Sequence, residues 1–218
     1  MAKNDPIKTN ILATKIIPNV SPDLAKDLEL RSGLKSLGPI TTDCDDVTYT
    51  ALDEATKMAD VEVVYAKSFY GGAANANTKL AGEIIGILAG PNPAEIRSGL
   101  NAMAAFIENE AWFVSANAEN DIVYYAHTIS RTGSYLSKVA NIAEGDSLAY
   151  LIAPPLEAVY GLDMALKAAD VRMAAFYGPP SETNFGGGLL TGSQSACKAA
   201  CDAFASAVQF VAENPTSY

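Results

Sequence analysis

Between 93 and 108, apolar residues fall at Ile96, Leu100, Met103, Phe106 and Ile107, the spacing of one helical face. Asn92 reads as the N-cap and Pro93 as the first helical residue, where a missing N–H costs nothing. A second stripe, through Ala196, Ala200, Phe204, Ala207, Val208 and Val211, predicts a helix over 193–213 capped by Ser193 or Ser195. Elsewhere the apolar runs are short. Strands are predicted at 13–20, 61–66, 84–88, 122–129, 171–177 and 189–190. Short helical pieces are predicted near 23–28 and 133–139, and a further helix near 49–59.

The pattern occurs twice. The segment LDEATKMADV at 52–61 matches LDMALKAADV at 162–171 in seven of ten positions, at an offset of 110 in a chain of 218. A match at half the chain length points to two copies of one unit. Each half then reads strand, short helix, strand, helix, strand, strand, long helix. That order predicts an α/β (α+β sandwich) fold with helices packed on a mostly antiparallel sheet. The polar stretch Ala116-Asn-Ala-Glu-Asn120 marks a turn at the join. The expected domains are 1–113 and 114–218.

Charged residues are 18% of the chain, against about 25% in ordinary soluble domains. Part of the surface is therefore expected to meet partner subunits. The net charge of -10 disfavours nucleic acid and anionic membrane surfaces as partners and favours a cationic ligand. The first residues, MAKNDPIKTN, lack the apolar stretch of a signal peptide, and no run reaches the roughly 18 apolar residues of a membrane span. Three cysteines, Cys44, Cys197 and Cys201, are too few for a disulfide framework. A reduced, cytosolic protein is expected.

Catalytic signatures are sparse. His127 is the sole histidine and sits in a strand-like run, where a satisfied structural side chain is the simpler reading. Cys197 and Cys201 share a helical face, and buried thiols are expected there in preference to a zinc site. Gly186-Gly187-Gly188 lacks the Lys-Ser/Thr of a phosphate loop, and no G-x-S-x-G elbow occurs. The acidic cluster Asp43-Cys44-Asp45-Asp46 has two readings. It is a solvated turn that caps the following helix, or a site for a small ammonium or a divalent metal. Glu83, alone before an apolar strand, is a further carboxylate or an exposed edge residue. The stretch 178–188, GPPSETNFGGG, reads as a long loop that either connects strands or carries function.

These residues resemble the bacterial microcompartment (BMC) shell domain in its tandem, circularly permuted form, of the ethanolamine-utilisation type. The motifs are SLG at 36–38, DDVTY at 45–49, DEATK at 53–57, VEVVY at 61–65 and GPNPAE at 90–95. The second half adds SRTGSYLS at 130–137, APPLEA at 153–158, PPSETN at 179–184 and LTGSQSACKAAC at 190–201. The likeness spans 12 to 215. It implies a structural protein, not an enzyme, that forms homotrimeric pseudo-hexagonal tiles packed edge to edge with other shell proteins in a microcompartment. It implies pores that bind ethanolamine through Asp45, Asp46, Glu83, Phe113, Thr183, Asn184 and Phe185. Gating loops are expected at Gly71 and Gly72 and at Gly186, Gly187 and Gly188. No cofactor is required and no metal is expected, although cobalamin binding or passage follows as a hypothesis for a shell that serves a cobalamin enzyme. An amine-binding sensor or regulator on the same fold is the alternative. An enzyme using the acidic cluster with a metal would need a nucleophile–base pair that the sequence does not display.

Overall fold

The computed structural model describes residues 2–69, 80–119, 121–179, 181 and 184–217. Among them the first half carries β1 (Pro6–Ile7), β2 (Ile11–Thr14), α1 (Pro22–Asp27), β3 (Ser36–Thr42), α2 (Asp45–Met58), β4 (Glu62–Ser68), β5 (Ile84–Gly90) and α3 (Pro93–Asn109). The second half carries β6 (Phe113–Ser115), β7 (Val123–Ile129), α4 (Ser134–Ala140), β8 (Ser147–Ala153), α5 (Pro155–Ala168), β9 (Val171–Tyr177), β10 (Gly186–Gly192) and α6 (Gln194–Glu213). From β2 to α3 and from β7 to α6 the order is the one read from the repeat. The strands pair antiparallel throughout.

The chain forms two compact units. The N-terminal unit holds Thr9–Ala111 with Gly133–Leu136, and the C-terminal unit holds Met1–Lys8, Trp112–Thr132 and Ser137–Tyr218. In the N-terminal unit the strand order is β2-β3-β5-β4. Leu52, Ile84, Leu88, Ile96 and Met103 are fully buried in its core. A smaller cluster of Leu34, Leu37 and Ala89 gathers Ile17, Val20, Leu28 and Leu30 around it. In the C-terminal unit the order is β1-β6-β7-β8-β10-β9. Leu151, Leu162, Leu190, Phe204 and Val208 pack there between the sheet and α5 and α6. Each such side chain contributes about 1.5–3 kcal/mol by leaving water.

The caps behave as the sequence indicates. Asn92 accepts from the N–H groups of Ala94 (2.9 Å) and Glu95 (3.1 Å), and Ser193 accepts from Ala196 N–H at 3.2 Å. The repeat extends to irregularities. Helices α2 and α5 are both 14 residues long. Each edge strand that follows them carries one extra residue, Val64 between the partners of Leu88 and Ile87 and Ala174 between those of Leu189 and Leu190. Such bulges bend and twist a strand, and here they recur at the repeat offset.

One reading needs correction. Gly186, Gly187 and Gly188 do not belong to a loop; they begin strand β10, where all three pair with β8 and Gly187 and Gly188 pair also with β9. Their lack of side chains reflects packing. A β-carbon at Gly187 would lie 1.9 Å from the Leu151 carbonyl oxygen, and one at Gly188 would lie 2.6 Å from that of Ala175. The expected gating positions Gly71 and Gly72 lie outside the described residues.

A buried carboxylate organises the outer face of α2. Asp53 is fully buried. Its Oδ2 accepts from Gly133 N–H and its Oδ1 from Leu136 N–H, both at 2.8 Å. Beside it, Thr56 Oγ1 accepts from Ser134 N–H at 3.1 Å, and Tyr49 stacks on Tyr135 with ring centres 6.4 Å apart. The start of α4 is thus capped from another helix. Gly133 can carry no side chain, because a β-carbon would meet Thr56 Oγ1 at 2.2 Å. Burial pushes the Asp53 carboxyl above its ordinary range, against the pull of the two N–H donors and the Lys57 charge.

Asp53→Asn removes one acceptor and points an amide at an N–H. The expected loss is about 1–3 kcal/mol in chemical denaturation. Because the folded pKa is raised above the usual 3.8, wild-type stability from this group is present at acid pH and is lost as pH rises through the raised value. The deficit of the variant should therefore narrow between acid and neutral pH. A deficit that widens would contradict the assignment.

Candidate ligand-binding site

The acidic turn lies at one end of the N-terminal sheet, where β3 and β4 finish and β5 begins. Thr42, the last residue of β3, lies with its Oγ1 2.6 Å from Thr48 Oγ1, and the two hydroxyls sit 2.9 and 2.7 Å from the Cys44 carbonyl, so that one donates to the carbonyl and the other to its fellow hydroxyl. This lock starts α2 at Asp45, four residues before the start read from the sequence, with Cys44 as a cap that lends no side-chain bond. Asp45 and Asp46 therefore sit in the first turn of the helix. The backbone N–H groups and the helix dipole there favour negative charge.

Both carboxylates are buried, so the solvated-turn reading does not hold for them. Asp45 Oδ1 accepts from Asp46 N–H at 2.8 Å, and its Oδ2 accepts from Ser68 Oγ at 2.6 Å. Ser68 in turn lies 3.0 Å from Tyr49 Oη. Burial pushes the Tyr49 phenol up, and the Asp45 charge adds to the rise. Burial also pushes the Cys44 thiol well up, helped by the charge of Asp46. Asp43 is directed elsewhere: its oxygens accept from Asn10 N–H and Asn10 Nδ2, both at 2.7 Å.

Glu83 is half-buried, immediately before β5. Its N–H donates to Thr42 O (2.8 Å) and its carbonyl accepts from Phe69 N–H (2.7 Å). It is tied to β3 and to the end of β4, so it is not an edge residue. Asp45, Asp46 and Glu83 thus share one end of one sheet. Ser68 and Tyr49 join them and were not singled out in the sequence. Tyr49 lies four residues after Asp45, on the same helical face, which is a usable signal. Ser68 gives none, because only strand pairing brings it there.

The remaining expected residues belong to the C-terminal unit. Phe113, buried at the start of β6, stacks on Tyr125 (5.4 Å) and on Phe185 (6.0 Å). Tyr125 continues the column to His127, nearly parallel with ring centres 5.6 Å apart, and meets Tyr150 edge-on. Asn184 is exposed with φ of 66°, and next to it Phe185 O accepts from Ser181 N–H at 2.8 Å. Asparagine tolerates that left-handed backbone better than most residues. Thr183 lies outside the described residues. His127 is a member of the ring column, which agrees with its structural reading.

Cys197 and Cys201 are buried against the sheet, where Thr128 Oγ1 donates to Cys201 Sγ at 3.3 Å. Burial raises both thiols, that of Cys201 to about 12. Among the described residues, no group of three His, Cys, Asp or Glu side chains is placed to hold a metal ion. No helix among them is long and apolar enough to cross a membrane. Chemically, the acidic turn offers carboxylates for a cation and two neighbouring hydroxyls for a polar group, and the ring column offers aromatic faces.

Comparison with known proteins places these features. The BMC domain family matches residues 36–118. The chain is 69% identical over 216 residues to the bacterial microcompartment shell protein EutL of Clostridium perfringens (strain 13 / Type A), covering 99% of this chain and all of that protein. It is 56% identical over 211 residues to the protein of the same name from Escherichia coli (strain K12), covering 97% and 96%. The crystal structure of ethanolamine utilization protein EutL from Leptotrichia buccalis C-1013-b superposes with a TM-score of 0.97 at 72% identity, covering 99% of this chain and all of that one.

The thiol environment gives a direct check. At pH 8 a thiol with a pKa of about 12 is roughly one part in ten thousand thiolate. Cys197 and Cys201 should stay unmodified by a chromogenic disulfide reagent until denaturant is added. Rapid reaction of either in the native protein would contradict their placement.

Proposed function

Because the chain belongs to the EutL family of bacterial microcompartment shell proteins, we propose that it is a structural tile of an ethanolamine-utilisation shell. Three copies form a pseudo-hexagonal tile from six repeats, and tiles pack edge to edge with other shell proteins. Pores that open and close pass substrate, products and cofactor, with cobalamin as the bulkiest cargo. The observation that carries this reading is the near-complete match, at 69% identity over 216 residues, to a shell protein that it spans from end to end. The low charge content supports it, since subunit interfaces cover much of such a tile.

Ethanolamine is proposed as the ligand of the acidic turn. Asp45 and Asp46 supply negative charge for the ammonium, and the net charge of -10 steers a cation inward. Ser68 and Tyr49 suit the ligand hydroxyl, and Glu83 adds charge at the same sheet end. In the C-terminal unit, Phe113, Thr183, Asn184 and Phe185 are proposed as further ethanolamine-binding residues, the rings acting through cation–π attraction. A discrete amine-binding regulator on this fold would bind the same molecule without forming sheets, so assembly separates the two readings.

Calorimetric titration with ethanolamine tests the ligand. Asp45→Asn should weaken binding by about 10- to 100-fold, the worth of a charge-assisted hydrogen bond. Ethylene glycol, which lacks the ammonium, should not compete. Unchanged affinity in the variant would remove the acidic turn from the proposal. Phe185→Ala should weaken binding by about threefold to tenfold if its ring faces the cation.

A further inference from the structure

Helices α2 and α5 are copies of one element, yet their outer faces meet different surroundings. Asp53 and Lys57 recur as Asp163 and Lys167 at the repeat offset. Asp53 is buried under Gly133–Leu136, whereas the Asp163 side chain is 56% exposed and pairs with Lys167 at 2.5 Å. Beside Asp163, the apolar residues Leu156, Val159, Tyr160 and Met164 are all exposed. Their spacing of three and four makes one stripe along α5. A helix that turns such a stripe to water is short of a partner.

The complementary element is also short of one. Helix α1 is the counterpart of α4: Leu24 and Lys26 recur as Leu136 and Lys138 at a common offset. Leu136 is 2% exposed and its N–H reaches Asp53 at 2.8 Å. Leu24 is 41% exposed, and its N–H reaches Ser21 Oγ at 3.4 Å, a long contact. None of the six residues of α1 is buried. A helix that short depends on packing for its stability.

We infer that the outer face of α5 in one copy receives α1 of a second copy, as α2 receives Gly133–Leu136 within the chain. Leu24 leaves water against the stripe of Val159, Tyr160 and Met164, and Asp163 accepts the Leu24 N–H as Asp53 accepts that of Leu136. The contact is heterologous: each copy offers two different surfaces, and repetition closes a ring when the rotation permits. The inference rests on the proposed tile and specifies which surfaces build it.

Sedimentation of full-length Leu24→Glu, Val159→Glu and their equimolar mixture tests it. Wild type should run as a trimer. Each variant alone should run as a monomer, its dissociation constant raised about tenfold or more. The mixture should form a dimer, because each variant keeps the surface that the other has lost. Both positions are exposed, so circular dichroism should match wild type. If wild type is oligomeric and both variants keep its mass, this docking is wrong while the tile reading stands. If wild type is monomeric at every concentration, the tile reading fails and takes the docking with it. Hydrogen exchange on wild type gives an independent check: the Leu24 amide should be protected in the oligomer, and fast exchange there would overturn the contact.

Discussion

A carboxylate is held away from water only where donors meet it, and at Asp53 two backbone N–H groups do so at 2.8 Å. That contact sets the outer face of α2, the start of α4 and the absence of a side chain at Gly133. With the Tyr49–Tyr135 stack and the Thr56 bond it closes one copy of the repeated face. The other copy keeps the Asp and the Lys but leaves them in water. A chain with two copies of one surface, one covered and one open, is suited to assemble with itself.

Helix α2 also links that face to the acidic turn. The Thr42–Thr48 lock fixes where the helix begins, and so fixes Asp45 and Asp46 in its first turn. Burial of two neighbouring acids would be unfavourable in a neutral setting. Here the helix N-terminus and the Ser68 hydroxyl offset part of that cost. Under the proposed function, one helix therefore carries acid for a passing cation at its start and acid for a neighbouring backbone two turns later. In the C-terminal unit α5 begins with Pro155 and Leu156 where α2 has Asp45 and Asp46. The carboxylate pair of α2 has no counterpart there.

Much of this was legible in the sequence. The offset of 110 yields the element order of both halves, because side-chain periodicity and repetition are local properties of the chain. Asn92 and Ser193 were readable as caps because a short polar side chain stood before an apolar stripe. The start of α2 was not, since Cys44 lends no side-chain bond and the lock comes from the end of a strand. The glycines at 186–188 looked like a loop because glycine usually marks a turn. At Gly187 and Gly188 the actual cause is the close approach of Leu151 and Ala175 from neighbouring strands, which is a tertiary fact. Asp45 and Asp46 were identifiable as charge in a cluster, but their burial and the Ser68 partner were not. The chain is silent about which strands bring residue 68 beside residue 45.

Native mass spectrometry of the wild-type chain tests the central claim most directly. The account predicts a dominant species of three times the 22.8 kDa chain mass, persisting on dilution. A species of one chain mass at all concentrations would contradict it, since a tile cannot be built from copies that do not meet.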